Sequence, residues 1–392
     1  MSAMETHRPS DLRCGAVLDG RYRVDGLVAV GGMSEVYRGL DLRLERPVAL
    51  KVMDPRYAGD EHFLTRFTRE ARAAAGLKHP AVVAVYDQGA GTPGGHPPFL
   101  VMELVEGGTL RELLRERGPM PPHAVAAVLS PVLGGLAVAH RAGLVHRDIK
   151  PENVLISDDG EVKIADFGLV RAVAEAKITS TSIILGTAAY LAPEQVSTGD
   201  MDARGDVYSV GVLVYELLTG RTPFAGDTTL AVAYQRLERD VPRPGSVIEG
   251  VPEQFDELVV RATARIPGQR FADAGEMLEE LEVIVDELRL PHFRVPAPRR
   301  SALHDSTIEP AGRQTKALAR AEPPATFGDD HHIETEYHSP TGRFAGIELA
   351  EFDWARQRAK RVLFFWVVAV LTLSGLAAAG AWTLGGNVST LL

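Results

Sequence analysis

The sequence predicts an α+β protein in which a small strand-rich lobe precedes a larger, mainly helical lobe. Short apolar runs separated by charged and glycine-rich turns fill the first hundred residues, as strands do. These runs are residues 22–30, 35–40, 48–53, 82–88 and 99–102. Residues 63–77 interrupt them with the spacing of a helix. From Leu110 onward the pattern is mainly helical, with Pro121 and Pro122 at one helix start and Gly143 at a helix end.

The composition of the 392-residue chain indicates a cytosolic domain that does not bind nucleic acid. Its 42 Lys and Arg residues against 52 Asp and Glu give a net charge of −10, whereas nucleic-acid binding requires a basic surface. Cys14 is the only cysteine, so the chain can form no internal disulfide. Residues 1–20 are predicted to be a polar N-terminal leader without a signal-peptide core. The globular domain is then expected at residues 21–288.

The composition changes after this domain. Residues 289–345 are rich in Pro, Arg, Ser, Thr and His and poor in large apolar side chains, which predicts a disordered juxtamembrane linker. Residues 346–361 combine apolar positions with a basic end, and they are predicted to form a juxtamembrane helix.

A hydrophobic segment near the C-terminus predicts a membrane span. Residues 362–384 are 23 consecutive residues without a charge, and about 20 suffice to cross a bilayer; the alternative is a buried C-terminal helix. Basic residues flank its N-terminal side, at Arg356, Arg358, Lys360 and Arg361. By the positive-inside rule, the globular domain is expected in the cytoplasm and the short tail, residues 385–392, outside. The chain is therefore predicted to be a single-pass protein of the cell membrane.

The strongest chemical signal is the stretch His-Arg-Asp-Ile-Lys-Pro-Glu-Asn at residues 146–153, followed by Asp-Phe-Gly at 166–168. The apolar runs that flank these stretches predict short buried strands, at residues 144–145, 154–156 and 162–165. Asp148, Asn153 and Asp166 would then converge on one cleft. Because buried carboxylates need partners and hard oxygens suit a divalent cation, these residues predict a proton acceptor beside a metal–nucleotide site.

Two features of the strand-rich part indicate phosphate binding. The small-residue turn at residues 29–36 would let backbone N–H groups approach phosphates, although most such turns are ordinary hairpins. Residues 48–51 form a strand that ends on a lysine, whose anionic partner would be Glu70 or a nucleotide phosphate. The apolar run and glycines at residues 99–108 would offer backbone groups to an adenine ring, or serve as a plain linker between the lobes.

Taken together, the motifs resemble those of bacterial eukaryotic-like Ser/Thr protein kinases from about residue 22 to about residue 287. The whole chain, with its linker, span and short tail, resembles the membrane kinases of the actinobacterial Pkn family. The resemblance implies a bilobal protein-kinase fold. It also implies an enzyme that transfers the γ-phosphate of ATP, with Mg²⁺ or Mn²⁺, to Ser/Thr hydroxyls of itself and of cytoplasmic proteins in signal transduction.

The resemblance implies a role for each motif residue. Lys51 would hold the α- and β-phosphates and pair with Glu70. Asp148 would accept the proton of the substrate hydroxyl, and Lys150 would steady the transferred phosphate. The nucleotide and its metal ion would further contact the two metal ligands Asn153 and Asp166, together with Ala29, Val30, Gly31, Gly32, Met33, Ser34, Val36, Ala49, Met102, Glu103 and Val105.

Other matches imply a scaffold around the site. Ala192-Pro193-Glu194 resembles the motif that closes the activation segment, and its Glu194 would form an ion pair with Arg270. Asp206 resembles the aspartate that braces the catalytic loop. Thr187 would contact the catalytic base and favour Ser/Thr acceptors over Tyr.

The loop between the two acidic motifs is expected to carry activating phosphorylation sites. Within its hydroxyl-rich stretch, Thr179 and Thr181 match the threonines that related kinases autophosphorylate. A phosphate carries a charge of roughly −1.5 to −2, and it would pair with Arg147 and Arg171 to order the loop. The sequence therefore predicts a kinase that is activated by phosphorylation in trans.

Three further residues match a dimer contact of related kinases. Arg21, Leu44 and Asp87 fall where related kinases join their N-terminal lobes back to back, although all three are ordinary surface types.

Ala29 and Ser34 replace two glycines of the usual G-x-G-x-x-G, and the alanine predicts weaker nucleotide binding rather than loss of catalysis.

Two alternative functions remain open at this level. A pseudokinase that scaffolds partners at the membrane would have no need of the complete set of catalytic and metal-binding residues. A small-molecule kinase would have no need of an activation segment suited to hold a peptide. Both arguments favour an active protein kinase.

Overall fold

The computed structural model of the chain describes residues 14–32, 34–57, 60–91, 96–167, 189–197, 201–226 and 228–307, together with 343–344 and 347–348. The chain divides into two compact units, Met1–Gln314 and Thr315–Leu392. In the second unit, the described residues form two antiparallel strands, Arg343–Phe344 and Ile347–Glu348. The second of these strands lies at the start of the predicted juxtamembrane helix. The other helices and strands of the described residues belong to the first unit.

The smaller lobe of the first unit is a six-stranded antiparallel sheet. Its strands are β1 (Val17–Leu18), β2 (Tyr22–Val30), β3 (Ser34–Asp41), β4 (Arg46–Met53), β5 (Val85–Gly89) and β6 (Phe99–Met102). They lie in the order β1-β2-β3-β4-β6-β5. Helix α1 (Glu61–Ala75) begins at Asp60, whose side chain accepts a hydrogen bond from the backbone N–H of Phe63 and so caps the helix.

Strand β4 is buried on both faces and separates two apolar layers. Val48 and Val52 belong to the cluster on one face, whereas Ala49 and Met53 belong to the cluster that contains the phenylalanines of α1. Because side chains alternate along a strand, Lys51 shares the face of Ala49 and Met53. The alternation therefore directs this lysine toward α1 and the space between the lobes.

The larger lobe is mainly helical. Its helices are α2 (Leu110–Arg117), α3 (Pro122–Arg141), α4 (Pro193–Ser197), α5 (Ala203–Thr219), α6 (Thr229–Glu238), α7 (Glu253–Ala262), α8 (Ala274–Glu287) and α9 (Ala302–Thr307). A three-stranded antiparallel sheet accompanies them, with β7 (Gly107–Thr109), β8 (Val154–Ser157) and β9 (Val162–Ile164) in that order. Helix α3 packs against α5 and α8 in the core of this lobe.

Within the described part of the chain, α3 is the helix whose length and hydropathy would permit a membrane crossing. More than half of its most apolar stretch is buried inside the lobe, as is typical of a core helix. The predicted span at residues 362–384 lies outside the described residues.

The predicted fold class is confirmed: a strand-rich lobe precedes a helical lobe, and strands β8 and β9 lie between the two acidic motifs. The run at residues 144–145 forms no strand, because the next backbone N–H groups, of His146 and Arg147, donate to the carboxylate of Asp206 instead of to a neighbouring strand. The run at 82–88 is a strand only from Val85, and Val82 makes an isolated bridge to Ile164.

The packed domain extends beyond the predicted boundary at residue 288. Residues 291–304, which we call the strap, follow α8 and lead into α9. Val295, Ser301 and Leu303 are only 2%, 1% and 7% exposed. The beginning of the stretch predicted as disordered linker is therefore packed on the globular domain, because Val295 and Leu303 are buried there.

Candidate active site

A cavity of about 480 Å³ lies between the six-stranded sheet and the helical lobe. Its volume falls in the range of small-molecule and cofactor sites, roughly 300–1,000 Å³. The turn between β2 and β3 and the inner face of β4 line it from the sheet side. The loop after α3, strands β7 and β8, and the two residues after β9 line it from the helical side. A ligand in this cavity would contact both lobes.

The glycine-rich turn closes on itself through its backbone. The N–H of Gly31 donates to the carbonyl oxygen of Ser34 at 2.8 Å. A Cβ on Gly31 would lie 3.1 Å from that oxygen, so a side chain there would crowd the turn. Ala29 pairs with Val36 in the β2–β3 ladder, an extended conformation that alanine adopts without strain. The alanine therefore fits its backbone position, and its effect on nucleotide affinity stays a prediction.

Lys51 and Asp166 form an ion pair inside the cavity. The Lys51 ammonium lies 2.7 Å from Oδ1 of Asp166. Burial works against ionisation of Asp166, but the charge and hydrogen bond of Lys51 outweigh it and hold the pKa of this carboxyl below its ordinary value. Asp166 also has a positive φ of 69°, an uncommon backbone conformation that is concentrated at functional sites. Glu70, the predicted partner of Lys51, is 6% exposed on α1, and the ion pair described for Lys51 is the one with Asp166.

Asp148 is held through one carboxylate oxygen. The Lys150 ammonium donates to Oδ2 at 2.7 Å, and Nδ2 of Asn153 donates to Oδ2 at 3.0 Å and to the Asp148 carbonyl at 2.7 Å. The other oxygen, Oδ1, is buried and has no hydrogen-bond partner among the described residues. The carboxylate is therefore oriented, with one buried acceptor left for a ligand.

The loop that carries Asp148 is held in place by Asp206, which lies in the first turn of α5. Its carboxylate is fully buried and accepts from the backbone N–H groups of His146 at 2.7 Å and Arg147 at 2.8 Å. It also accepts from Nε2 of His140 at 2.9 Å; the proton is assigned to Nε2 because Nδ1 of that ring accepts from a backbone N–H. Arg147 has a φ of 72°, so the aspartate stabilises a strained turn.

The segment at α4 is attached to the helical lobe by Arg270. Its guanidinium, fully buried, donates to both carboxylate oxygens of Glu194 at 2.7 and 2.9 Å. It also donates to the carbonyl oxygens of Ala264, Arg204 and Arg265. A buried charge is stabilised only when its hydrogen-bonding capacity is used, and this arrangement uses nearly all of it.

A second group of charged side chains lies between α2 and the catalytic loop. Arg111 donates to Glu152 at 2.8 Å, to Glu216 at 2.6 Å and to the Tyr190 hydroxyl at 2.5 Å. The Tyr190 hydroxyl in turn donates to Glu216. Burial and the Glu216 carboxylate raise the pKa of Tyr190 well above its ordinary value, so the phenol stays protonated. Helix α2 is thereby joined to the loop that holds Asn153.

The segment between β6 and β7 connects the lobes along the cavity. The backbone N–H of Glu103 donates to the Ala84 carbonyl at 2.8 Å. Its carboxylate accepts from Lys163 at 2.7 Å and from the Ala84 N–H at 3.2 Å. Because Lys163 and Ala84 hold its side chain, we expect Glu103 to offer its backbone to a ligand.

Asn153 and Asp166 suit a divalent cation that is shared with a ligand. The hydrogen bonds of Asn153 to Asp148 use its amide nitrogen and leave Oδ1 as a metal-binding atom. Across the described ranges, no group of three or more His, Cys, Asp and Glu side chains could hold a metal alone. One carboxylate plus one amide is the kind of partial ligand set that Mg²⁺ completes with water and phosphate oxygens.

A family model for the protein kinase domain matches residues 22–280. The chain belongs to the protein kinase family. The serine/threonine-protein kinase PknL of Mycobacterium tuberculosis is 63% identical over 391 residues, which cover 96% of this chain and 97% of that protein. The serine/threonine-protein kinase PknB of the same organism is 42% identical over 310 residues, 78% of this chain and 50% of that protein. These relatives confirm a bacterial Ser/Thr protein kinase of the Pkn family.

The solved structures agree with this assignment. The crystal structure of the PknI kinase domain of Mycobacterium tuberculosis matches with a TM-score of 0.55 and 27% sequence identity. The match covers 70% of this chain and 99% of that chain. The kinase therefore has the bilobal fold that the motifs implied.

The structure brings most of the predicted site residues of the kinase together. Asp148, Lys150 and all described residues predicted to bind nucleotide line the cavity. Glu70 is buried on α1, whereas Asp206 and Arg270 do not line the cavity and instead hold the catalytic loop and α4. Met33, Thr179, Thr181 and Thr187 lie outside the described residues.

Sequence reasoning missed several residues at the site. Val83, Leu155 and Ala165 line the cavity, but within apolar runs nothing distinguishes a lining residue from a core residue. Arg111 and Glu216 are ordinary charged positions on predicted helices, and their pairing depends on a tertiary contact 105 residues apart in sequence. Ala302 and Leu303 also line the cavity, although their composition assigned them to the linker.

Proposed function

We propose that this kinase transfers the γ-phosphate of Mg-ATP, or Mn-ATP, to Ser and Thr hydroxyls of its own activation loop and of cytoplasmic proteins, from a single membrane span. The observation that carries the chemistry is the Asp148 carboxylate. One of its oxygens is held by Lys150 and Asn153, and the other is buried without a partner among the described residues.

The proposed proton acceptor is Oδ1 of Asp148. A substrate hydroxyl that donates to this oxygen would satisfy a buried acceptor, which is a favourable exchange for both groups. Lys150, bonded to the other oxygen, would orient the carboxylate and lie next to the transferred phosphate. Positioning and charge, rather than covalent chemistry, are thus the contribution of these residues.

The proposed nucleotide site uses the residues that line the cavity. Lys51, anchored by Asp166, would hold the α- and β-phosphates, and the backbone of residues 29–34 would cover them. A divalent cation bound by Asn153 and Asp166 would neutralise charge on the phosphate oxygens. Glu70 is proposed to pair with Lys51 when the phosphates are bound.

Activation is proposed to depend on Thr179 and Thr181. Arg147, in its strained turn above Asp206, follows His146 in the catalytic loop and is the proposed counter-ion for a phosphate on the neighbouring segment. Thr187 is proposed to contact the catalytic base and to favour Ser/Thr acceptors. Preincubation with Mg-ATP should raise the activity of the native chain but not that of a variant in which Thr179 and Thr181 are replaced with Ala. Equal activation of the two chains would contradict the proposal.

The membrane anchor and the dimer rest on separate observations. The charge-free segment 362–384 and its basic N-terminal flank support a single span with the kinase domain in the cytoplasm, which alkaline extraction of membranes tests. The proposed dimer surface is supported by the position of Arg21 beside Asp87, at 3.2 Å, and by the 56% exposure of Leu44 on the sheet lobe. Sedimentation of Leu44→Asp against the native chain tests the dimer.

The deciding experiment compares the full chain with Asp148→Asn and with Asp286→Asn, a matched change at an exposed position of α8. Each is incubated with Mg-ATP, and its phosphorylated residues are mapped by mass spectrometry. The native chain and Asp286→Asn should carry phosphate on Thr179 and Thr181. Asp148→Asn should lose at least about 100-fold in rate. Equal phosphorylation of all three chains would reject Asp148 as the base. ATP binding without phosphorylation in any chain would favour a pseudokinase scaffold.

A further inference from the structure

The strap, residues 291–304, lies outside the region that the protein kinase family model matches, 22–280, yet it reaches the nucleotide cavity. Its first part is anchored on the helical lobe. Val295 is buried in the core cluster of that lobe. Arg294 donates through Nε to the carbonyl oxygen of Asp159 at 2.8 Å, and the ring of Phe293 packs edge-on against His123. The strap is therefore attached well before it reaches the cavity.

Two carboxylates of helix α2 hold the next part of the strap. Glu116 accepts from the backbone N–H of Arg299 at 2.7 Å, and Glu112 accepts from the backbone N–H of Ala302 at 3.0 Å. The two glutamates are four residues apart and so lie on the same face of α2. Hydrogen bonds from backbone N–H groups to ionised carboxylates are of the stronger kind, so both contacts favour one position of the strap.

Close packing against Gly108 fixes the strap at the edge of the cavity. A Cβ on Gly108 would lie 2.5 Å from Cγ of Pro298 and 2.8 Å from Cβ of Ser301. The strap thus approaches the backbone of β7 as closely as a glycine permits. Ser301 itself is 1% exposed, and its hydroxyl accepts from the backbone N–H of His304.

The end of the strap contributes to the wall of the cavity. Ala302 and Leu303 line it together with Val28 of β2, Val105 and Gly107. The cavity keeps about 480 Å³ with the strap in place, so the strap encloses the space without filling it. These neighbours lie near the segment that connects the two lobes. That end of the cavity is where the nucleoside part of a nucleotide, rather than its phosphates, would bind.

We propose that the strap is part of the nucleotide-binding site, and that Leu303 contacts the nucleoside of the bound nucleotide and slows its release. The inference rests on the nucleotide site proposed above. Bound nucleotide would contact the part of the Leu303 side chain that lines the cavity, and the contacts of Arg299 and Ala302 with α2 would hold that side chain in place. The chain after the kinase domain therefore influences nucleotide affinity from within the cavity wall.

The test uses the full chain in detergent and Mg-ADP as the ligand. Leu303→Ala removes the proposed contact, Glu116→Ala removes a strap contact outside the cavity, and Arg300→Ala is the control at an exposed strap position. The Kd for Mg-ADP should rise about tenfold for Leu303→Ala, which removes both the ligand contact and part of the packed cavity wall, and about threefold for Glu116→Ala. Arg300→Ala should bind as the native chain does.

Kinetics separate a positioning role from a structural one. For Leu303→Ala, the KM for ATP should rise while kcat stays within twofold, because the base and the metal ligands are unchanged. Values of Kd and KM within twofold of the native chain in both variants would overturn the proposal. Tighter binding in the variants would overturn it in favour of a strap that obstructs the site. A native chain that fails to bind Mg-ADP would reject the nucleotide site itself.

Hydrogen exchange gives a second readout that needs no substitution. If the strap tightens nucleotide binding, nucleotide must stabilise the docked strap by the same factor, because coupling between two binding events is reciprocal. The amides of Arg299 and Ala302 should therefore exchange more slowly when Mg-ADP is added. Unchanged exchange at these amides at saturating Mg-ADP would contradict the proposal.

Discussion

Arg270 and Glu194 are 76 residues apart in sequence and are joined by two parallel hydrogen bonds of 2.7 and 2.9 Å. The guanidinium is fully buried, whereas the carboxylate keeps limited contact with solvent. The pair attaches α4, the end of the segment expected to hold the peptide substrate, to the core of the helical lobe.

Replacing Arg270 with Lys should destabilise the kinase domain by about 2–4 kcal/mol. A single ammonium cannot match both carboxylate oxygens and the carbonyl oxygens that Arg270 also reaches, so buried groups lose their partners. Urea unfolding followed by circular dichroism measures the change. Arg265→Lys is the control, because the Arg265–Asp240 pair is exposed and its loss should cost less than about 1 kcal/mol. Equal effects of the two substitutions would show that the buried pair has no special weight.

Replacing Asp206 with Asn should lower kcat at least about tenfold, although this residue does not contact the substrate. The amide has a single acceptor oxygen for the three N–H donors that the carboxylate now serves, so the loop before Asp148 loses at least one bond. Phosphorylation of a peptide substrate measures the change. Asp202→Asn, at the N-cap of the same helix, should be nearly neutral because Asn caps as well as Asp. A fully active Asp206→Asn chain would contradict the bracing role.

Replacing Lys51 with Met should change how stability depends on pH. In the native chain the pKa of Asp166 is lowered, so its contribution to stability is present above the ordinary carboxyl pKa of 3.8 and is lost as the pH falls below it. Without Lys51, burial should raise that pKa, and the variant should lose stability as the pH rises. The difference in Tm between the native chain and the variant should therefore grow from pH 4 to pH 8.

The control for this prediction is the double variant Lys51→Met with Asp166→Asn, in which neither group titrates. The change in its Tm between pH 4 and pH 8 should be closer to that of the native chain. If the single variant showed the same difference in Tm at pH 4 and pH 8, the charge of Asp166 would not depend on Lys51.

Replacing Gly107 with Ala should destabilise the domain by about 3 kcal/mol or more. Gly107 has a φ of 151°, and a Cβ there would lie 2.1 Å from the carbonyl oxygen of Ile156, so both backbone strain and overlap result. Thermal unfolding measures the change. Gly118→Ala is the matched control: its φ is 77° and the surrounding space is open, so only a backbone cost of about 1 kcal/mol is expected. Comparable losses would mean that the sheet adjusts around Gly107.

The sequence was a good guide to the elements and to the residues of the nucleotide cavity. Strand periodicity indicates the face of β4 on which Lys51 lies, and the two acidic motifs correctly indicated that Asp148 and Asp166 share one cleft. These features are local, so a pattern a few residues long is enough to predict them.

The sequence was a poor guide wherever the outcome depended on distant contacts. The run at residues 144–145 has strand composition, but Asp206 takes the backbone N–H groups that would have continued the strand. The strap has the composition of a linker, and only its contacts with α2 and β7 show that it is packed. No local pattern encodes either contact, because the partners lie 59 to 190 residues away.

Helix α2 has eight residues, and a helix of that length does not persist alone in water. Its stabilising partners come from far along the chain: Arg111 bonds to residues 41, 79 and 105 positions later, and Glu112 to Ala302, 190 positions later. Each contact requires a long loop to close before the helix gains from it. During synthesis, the sheet lobe can therefore form early, whereas the wall of the cavity built by α2 is complete only after residue 302 has left the ribosome. A nascent chain stalled before that point would have its strands and catalytic loop, but an unfinished nucleotide pocket.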